Sequence, residues 1–245
     1  MNERFPGKAV VCTAFLFIFG ALAPQAEAQV SISPVRIDLG EENRKDVIRI
    51  ASQSDEARSF QVEIVAWSQT AEEREVYTPT EDVLAVPPLF TIAPGEEQVV
   101  RIGMVTDPDP ETERAYRMFI TELVSPGQAQ RESSGVNMRL RLGVPVFVAP
   151  QSPAIAVLDH VGWQETDGRH FMQVRNTGNT HVRISEVRYR APGMDEPQVE
   201  AAAIYVLAGQ SGYVPVPLPD GEREGSVALM TDTLGITEYD LSAAL

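Results

Sequence analysis

From Val136 to Val148 every even-numbered position is apolar: Val136, Met138, Leu140, Leu142, Val144, Val146 and Val148. The odd positions are Asn137, Arg139, Arg141, Gly143, Pro145 and Phe147, so Phe147 alone breaks the alternation. A period of two sustained over this length predicts a long β-strand with one apolar face and one polar face. Left exposed, such a strand invites pairing with another chain. A protein that keeps one has the means to bind a partner by strand addition.

The rest of the chain is built from shorter runs of the same kind and is poor in helical periodicity. Candidate strands are Val30–Leu39, Asp46–Ala51, Arg58–Trp67, Val83–Ile92, Gln98–Met104 and Ala115–Val124. Gly40, Ser52-Gln53-Ser54, Pro87-Pro88, Pro94-Gly95, Pro108-Asp109-Pro110 and Ser125-Pro126-Gly127 punctuate them as turns. Together with Val136–Val148 they suggest an immunoglobulin-like β-sandwich. Pro150-Gln151-Ser152-Pro153 reads as a short stiff linker. Beyond it lie Ala154–Leu158, His170–Asn176, Val182–Ala191, Ala203–Leu207, Gly212–Leu218, Ser226–Met230 and Tyr239–Leu241. The expected fold is therefore all-β throughout, with residues 29–150 as one domain and 151–245 as a second.

Residues 1–28 read as a cleaved signal peptide. Arg4 and Lys8 precede an apolar run from Ala9 to Ala23, and Ala26-Glu27-Ala28 is a small-x-small cleavage site. The run is short for a membrane span. Its removal from the 245 residues leaves enough chain for two domains of about 100 residues each. Glu3, Arg4, Lys8 and Glu27 cancel, so the net charge of −15 belongs to the mature chain. That charge argues against nucleic acid and anionic lipid as partners. The single cysteine, Cys12, falls in the signal segment, which leaves the mature chain without disulfide, thiol nucleophile or cysteine metal ligand.

Signals for chemistry are weak. His160, His170 and His181 have no metal-ligand spacing. No phosphate loop, dinucleotide fingerprint or nucleophile elbow is present, so no cofactor is expected. Gly209-Gln210-Ser211-Gly212 reads as a turn, and the acidic residues are scattered. The expectation is a binding protein and not an enzyme.

Several motifs converge on one family. Val83-Leu84-Ala85-Val86-Pro87-Pro88-Leu89-Phe90-Thr91-Ile92-Ala93-Pro94-Gly95-Glu96-Glu97-Gln98-Val99-Val100-Arg101-Ile102 closely resembles the signature of the periplasmic pilus chaperones, the PapD-like family. Glu113-Arg114-Ala115-Tyr116-Arg117-Met118-Phe119 resembles that family's penultimate first-domain strand. The alternating strand ending in Val146-Phe147-Val148-Ala149-Pro150, and Val174-Arg175-Asn176-Thr177-Gly178-Asn179 in the second half, continue the match.

The resemblance implies two immunoglobulin-like β-sandwich domains arranged as a boomerang. It implies a periplasmic protein that binds pilus or fimbrial subunits by donor-strand complementation and delivers them to an outer-membrane usher. The lent side chains would be Val136, Met138, Leu140, Leu142 and Val144, which share one side of the strand. Each buried fully in a subunit groove is worth about 1.5–3 kcal/mol. The same side chains could instead fill this protein's own core, and both uses can hold at different points along the strand. Self-association through the donor edge is a further expected partner mode. The short polar loop from Ser125 to Gly135 resembles that of the short-loop chaperones.

In the family, an arginine on the first strand and a lysine on the last hold the subunit's C-terminal carboxylate. Arg36 falls at the arginine position, but Pro145 stands at the lysine position. Arg141 shares the parity of Pro145, about 13 Å back along an extended strand, and is the substitute the sequence offers. Ala149 replaces a basic residue that would pair with Glu113 across the domains, which leaves that interdomain lock open. Two other readings fit the residues alone: a secreted β-sandwich structural or adhesive surface protein, and a secreted hydrolase on a β scaffold.

Overall fold

A computed structural model describes residues 30–70, 75–123, 139–218 and 224–241. Residues 1–28, the loop from Ser125 to Gly135, and Val136 and Met138 of the expected donor set lie outside the described residues.

The first sandwich contains β1 (Val30–Ser33), β2 (Ile37–Leu39), β3 (Lys45–Ser52), β4 (Arg58–Ser68), β5 (Val76–Pro79), β6 (Val83–Val86), β7 (Leu89–Ile92), β8 (Glu97–Met104), β9 (Arg114–Leu123) and β10 (Arg141–Val148). One sheet runs β1-β3-β8-β6. The other runs β2-β10-β9-β4-β5, with β7 also on β4.

Two runs expected as single strands are each divided between the two sheets. Val30–Leu39 breaks at Pro34 into β1 and β2, and Val83–Ile92 breaks at Pro87-Pro88 into β6 and β7. Proline has no N–H for a ladder, so the chain leaves one sheet there and enters the other. The short β5 has too few residues to show a period and was not foreseen.

The core lies where the inner faces meet. Ile48, Ile50, Val100 and Ile102 from one sheet pack against Ile37, Phe60, Met118, Ile120 and Val146 from the other, all fully or almost fully buried. Burial of such side chains is the main stabilising term, at about 1.5–3 kcal/mol each.

The second sandwich contains β11 (Leu158–Thr166), β12 (Arg169–Asn176), β13 (Val182–Arg190), β14 (Gln198–Val206), β15 (Ser211–Val216), β16 (Ser226–Thr231) and β17 (Gly235–Asp240). Its sheets run β11-β12-β15 and β14-β13-β16-β17. Met172, Val174, Ile184, Tyr189, Val214 and Leu229 form its core. The segment Ala154–Val157, expected as a strand, precedes β11 as irregular chain. A bulge between His160 and Gly162 shifts the register of β11, so its side chains change phase midway and the alternation is hidden.

Candidate functional site

The last strand of the first sandwich has one side uncovered. β10 pairs along its whole length with β9, from Arg141 opposite Thr121 to Val148 opposite Arg114. The backbone of Leu140 extends that ladder, accepting from Glu122 N at 2.9 Å. On its other side β10 pairs in parallel with β2 through Val146, Phe147 and Val148 only. Among the described residues no strand covers Arg141–Pro145 on that side, and its backbone groups are free to pair. Pro145 contributes no N–H, so an added strand would meet a gap in the ladder there.

Side-chain placement divides the expected donor set. Val144 is fully buried in this protein's own core, and Leu142 packs against the same core while partly exposed. Leu140 is half-buried and outside that cluster. Val144 is therefore committed to this protein's core, and among the described residues of that set Leu140 and Leu142 keep exposed surface.

The outer face of this sheet carries the charge. In register, Pro145 lies opposite Arg117 on β9. Ile37 partners Val146, so Arg36, one residue earlier, falls on the other flank of Pro145. Pro145 is thus bracketed in register by two arginines. Arg36 is half-exposed and pairs with Asp38 at 2.9 Å, a surface pair of little energy. Arg141 stacks its guanidinium on Phe119, 3.9 Å from the ring centre. Arg117 is the more enclosed cation: its guanidinium lies 4.0 Å over the Trp67 ring, and Nη2 donates to Glu75 Oε1 at 2.7 Å. Sequence reading passed over Arg117 because it is one charge in an ordinary alternating strand. Its place opposite Pro145 is a matter of register, which the residues alone do not mark.

The two sandwiches meet along this same face. Trp67, Phe147 and Leu207 form a small buried cluster, with Ala115 and Tyr205 packed on it. The Gln69 side chain crosses between the sandwiches. Its Nε2 donates to Tyr205 O at 2.7 Å, and its Oε1 accepts from Leu207 N at 2.9 Å. Trp67, Gln69, Glu75 and Arg117 line a cleft cavity of about 310 Å³ against Tyr205 and Tyr213.

Glu113 has the partner that sequence comparison could not supply. One carboxylate oxygen accepts from His181 N at 2.9 Å and lies 2.8 Å from His181 Nδ1; the other accepts from Thr180 Oγ1 at 2.8 Å. The interdomain lock is closed through a loop of the second sandwich in place of the basic residue lost at Ala149. The turn at Asn176–Asn179 supports it. Asn176 is fully buried and donates to Thr180 O and Val206 O. The Asn179 side chain accepts from Ile155 N and donates to Glu111 O and Pro153 O. Asp109 Oδ1 accepts from Glu111 N and Thr112 N at 2.9 Å each. Those amides hold its carboxyl below the usual range and fix the loop that meets Asn179.

Among the described residues no group of three or more His, Cys, Asp and Glu is placed to hold a metal.

Residues 29–154 match the family model described as pili and flagellar-assembly chaperone, PapD N-terminal domain. The fold is similar to several solved structures. One is a chain of the CsuC–CsuE chaperone–tip adhesion subunit pre-assembly complex from the archaic chaperone–usher Csu pili of Acinetobacter baumannii. It has 16% identity and a TM-score of 0.63, covering 87% of this chain and 98% of that one. A second is a chain of the Salmonella enterica SafA pilin in complex with the SafB chaperone, at 15% identity and TM-score 0.56, covering 86% and 95%. A third is the Pseudomonas aeruginosa CupB2 chaperone, at 16% identity and TM-score 0.53, covering 86% and 98%. No curated protein matches the chain by sequence.

Proposed function

Because the chain belongs to the family of pili and flagellar-assembly chaperones with a PapD N-terminal domain, we propose that it captures pilus or fimbrial subunits by lending them the open edge of β10. The observation that carries this reading is the asymmetry of that strand: β9 covers it fully, and β2 covers only Val146–Val148. An acceptor lacking a strand would gain a backbone ladder along Leu140–Val144 and side-chain contacts from Leu140 and Leu142. Val136 and Met138 extend the same apolar side in the sequence and complete the proposed insert.

The chaperone acts in the periplasm, to which residues 1–28 direct it as a cleaved signal peptide, and it hands its cargo to an outer-membrane usher. Its work is binding, with no bond made or broken. Arg36, with a second cation, receives the subunit's C-terminal carboxylate. Between rounds the open edge is covered by self-association. Residues 29–150 form the subunit-binding domain and 151–245 the second domain.

Co-expression with pilus subunits of the same organism tests the reading. A one-to-one complex that resists washing is expected, and it should disappear when Leu140 is replaced by Glu. Failure to retain any such subunit would overturn it.

A further inference from the structure

Gly143 stands in the middle of the stretch of β10 that β2 leaves uncovered. It is exposed, carries no side chain, and lies directly across the ladder from Phe119 on β9. A Cβ placed on it would be 3.4 Å from Phe119 Cε1 and 3.4 Å from Arg117 Cδ, so the Phe119 ring leans over the bare backbone of β10. Other groups hold the ring in that position. The Arg141 guanidinium lies 3.9 Å from its centre, and Tyr77 stands edge-on with ring centres 5.2 Å apart. Phe119 is nonetheless only half-buried. The open edge of β10 therefore presents a notch. Gly143 is its floor and the edge of the Phe119 ring its back wall. Arg141 and Pro145, on the same face of the strand, flank it at either end.

We propose that this notch takes one large apolar side chain, by preference aromatic, from the outer face of the strand bound to β10, and so selects subunits that carry such a residue there. This rests on the chaperone reading, because a strand paired along the open edge is what puts a side chain beside Gly143. Residues directly opposite each other on paired strands project from the same face. The partner residue across from Gly143 therefore stands on the face that carries Phe119. Two strand spacings, roughly 10 Å, separate its backbone from that of Phe119. Two rings inclined toward each other over a glycine span that distance, with centres in the range of about 4.5–7 Å that favours edge-to-face contact.

A glycine within a strand forgoes side-chain packing and often marks a place where another group comes close. A ring laid over it from a neighbouring strand restores the lost cover. Phe119 does so from the β9 side alone. A small or polar partner residue would leave the other side of Gly143 and the edge of the Phe119 ring in water. A large apolar one removes that surface from water, which is the source of the preference. The notch reads one residue at one register, a discrimination that burial of Leu140 and Leu142 on the opposite face does not supply.

Two synthetic peptides of alternating valine and threonine test this, identical except that one carries phenylalanine in place of its central threonine. Both are titrated calorimetrically into the full chain. The phenylalanine peptide is expected to bind about two- to fivefold more tightly, the range of a favourable cross-strand pair. Phe119→Thr removes the back wall and should bring the two peptides to equal affinity. A merely structural role for Phe119 would weaken both alike and leave their ratio unchanged. Gly143→Ser puts a hydroxyl into the notch and should also lower the ratio toward one. Its Cβ would meet Phe119 and Arg117 at ordinary contact distance, so this variant keeps the test decisive should Phe119→Thr fail to fold. A ratio of one in the unmodified protein, a ratio that survives the substitutions, or binding of neither peptide overturns the notch. Capture of pilus subunits by the unmodified protein, measured separately, decides the chaperone reading.

Discussion

The ring of His181 lies flat on that of Phe147, with 3.7 Å between centroids and 13° between planes. Phe147 is the one apolar residue at an odd position of the alternating strand. It faces away from the first sandwich's core and is nonetheless 1% exposed, because the second sandwich covers it. The contact ties the strand proposed for lending directly to the loop that holds Glu113. The inner half of β10 is thereby anchored, and its outer half remains available.

Replacing Glu113 by Ala leaves the Thr180 hydroxyl and the His181 backbone N–H without their acceptor. Its side chain is only 5% exposed, so water replaces it poorly. A loss of about 1–3 kcal/mol in urea unfolding is expected, together with a wider spread of interdomain geometries in small-angle scattering. An unchanged unfolding midpoint would remove Glu113 from the interdomain account.

Phe147→Ala should cost more, about 3–5 kcal/mol, because it opens a cavity between Trp67, Tyr205 and His181. Thermal melting followed by tryptophan fluorescence would detect it, since Trp67 is in that cluster.

Charges along one side of β10 should have opposite consequences. Leu140→Glu is expected to keep the melting temperature and abolish subunit capture. Val144→Glu buries an unpaired carboxylate in the first core, where Val144 is 0% exposed, and should unfold the domain. If Val144→Glu folds and merely loses capture, Val144 belongs to the lent set after all.

Gly178 admits no side chain. A Cβ there would meet Ile155 O at 2.1 Å and Val157 N at 2.8 Å, so the backbone of Ile155–Val157 would have to move. Gly178→Ala should break the bonds that Asn179 N and Thr177 N make to Ile155 O and Val157 O. Faster hydrogen exchange at those two amides is the expected readout.

Tyr116 gives the alkaline limit. Burial, and next the hydrogen bond to Asp82 Oδ2 at 2.9 Å, push its hydroxyl up to about 12 from an ordinary 10.0. Between these values the unfolded chain releases a proton that the folded chain keeps. The stability from this group is complete below pH 10 and falls as pH rises toward 12, by up to about 1.4 kcal/mol per pH unit. Tyr116→Phe should flatten that part of the stability–pH curve. A curve of unchanged slope would mean that other groups govern it.

Period-two patterning by itself determined the all-β architecture and most strand positions, because alternation records directly which face of a strand is buried. Arg58–Trp67 and Asp46–Ala51 appear within a residue or two of their expected limits as β4 and β3. Pro34 and Pro87-Pro88 were visible too, but the transfer of the chain between sheets at those points depends on which partner strands are near. Burial at Val144 was likewise beyond the sequence. Its pattern is the same whether the apolar face meets this chain's core or another's, and only its place in the packed core of the first sandwich decided it. The Glu113–His181 lock, and the meeting of Arg117 with Trp67 and Glu75, join residues far apart in the chain that carry no local mark. The first forms where the two sandwiches dock and the second between neighbouring strands of one sheet, so tertiary structure alone could assign them.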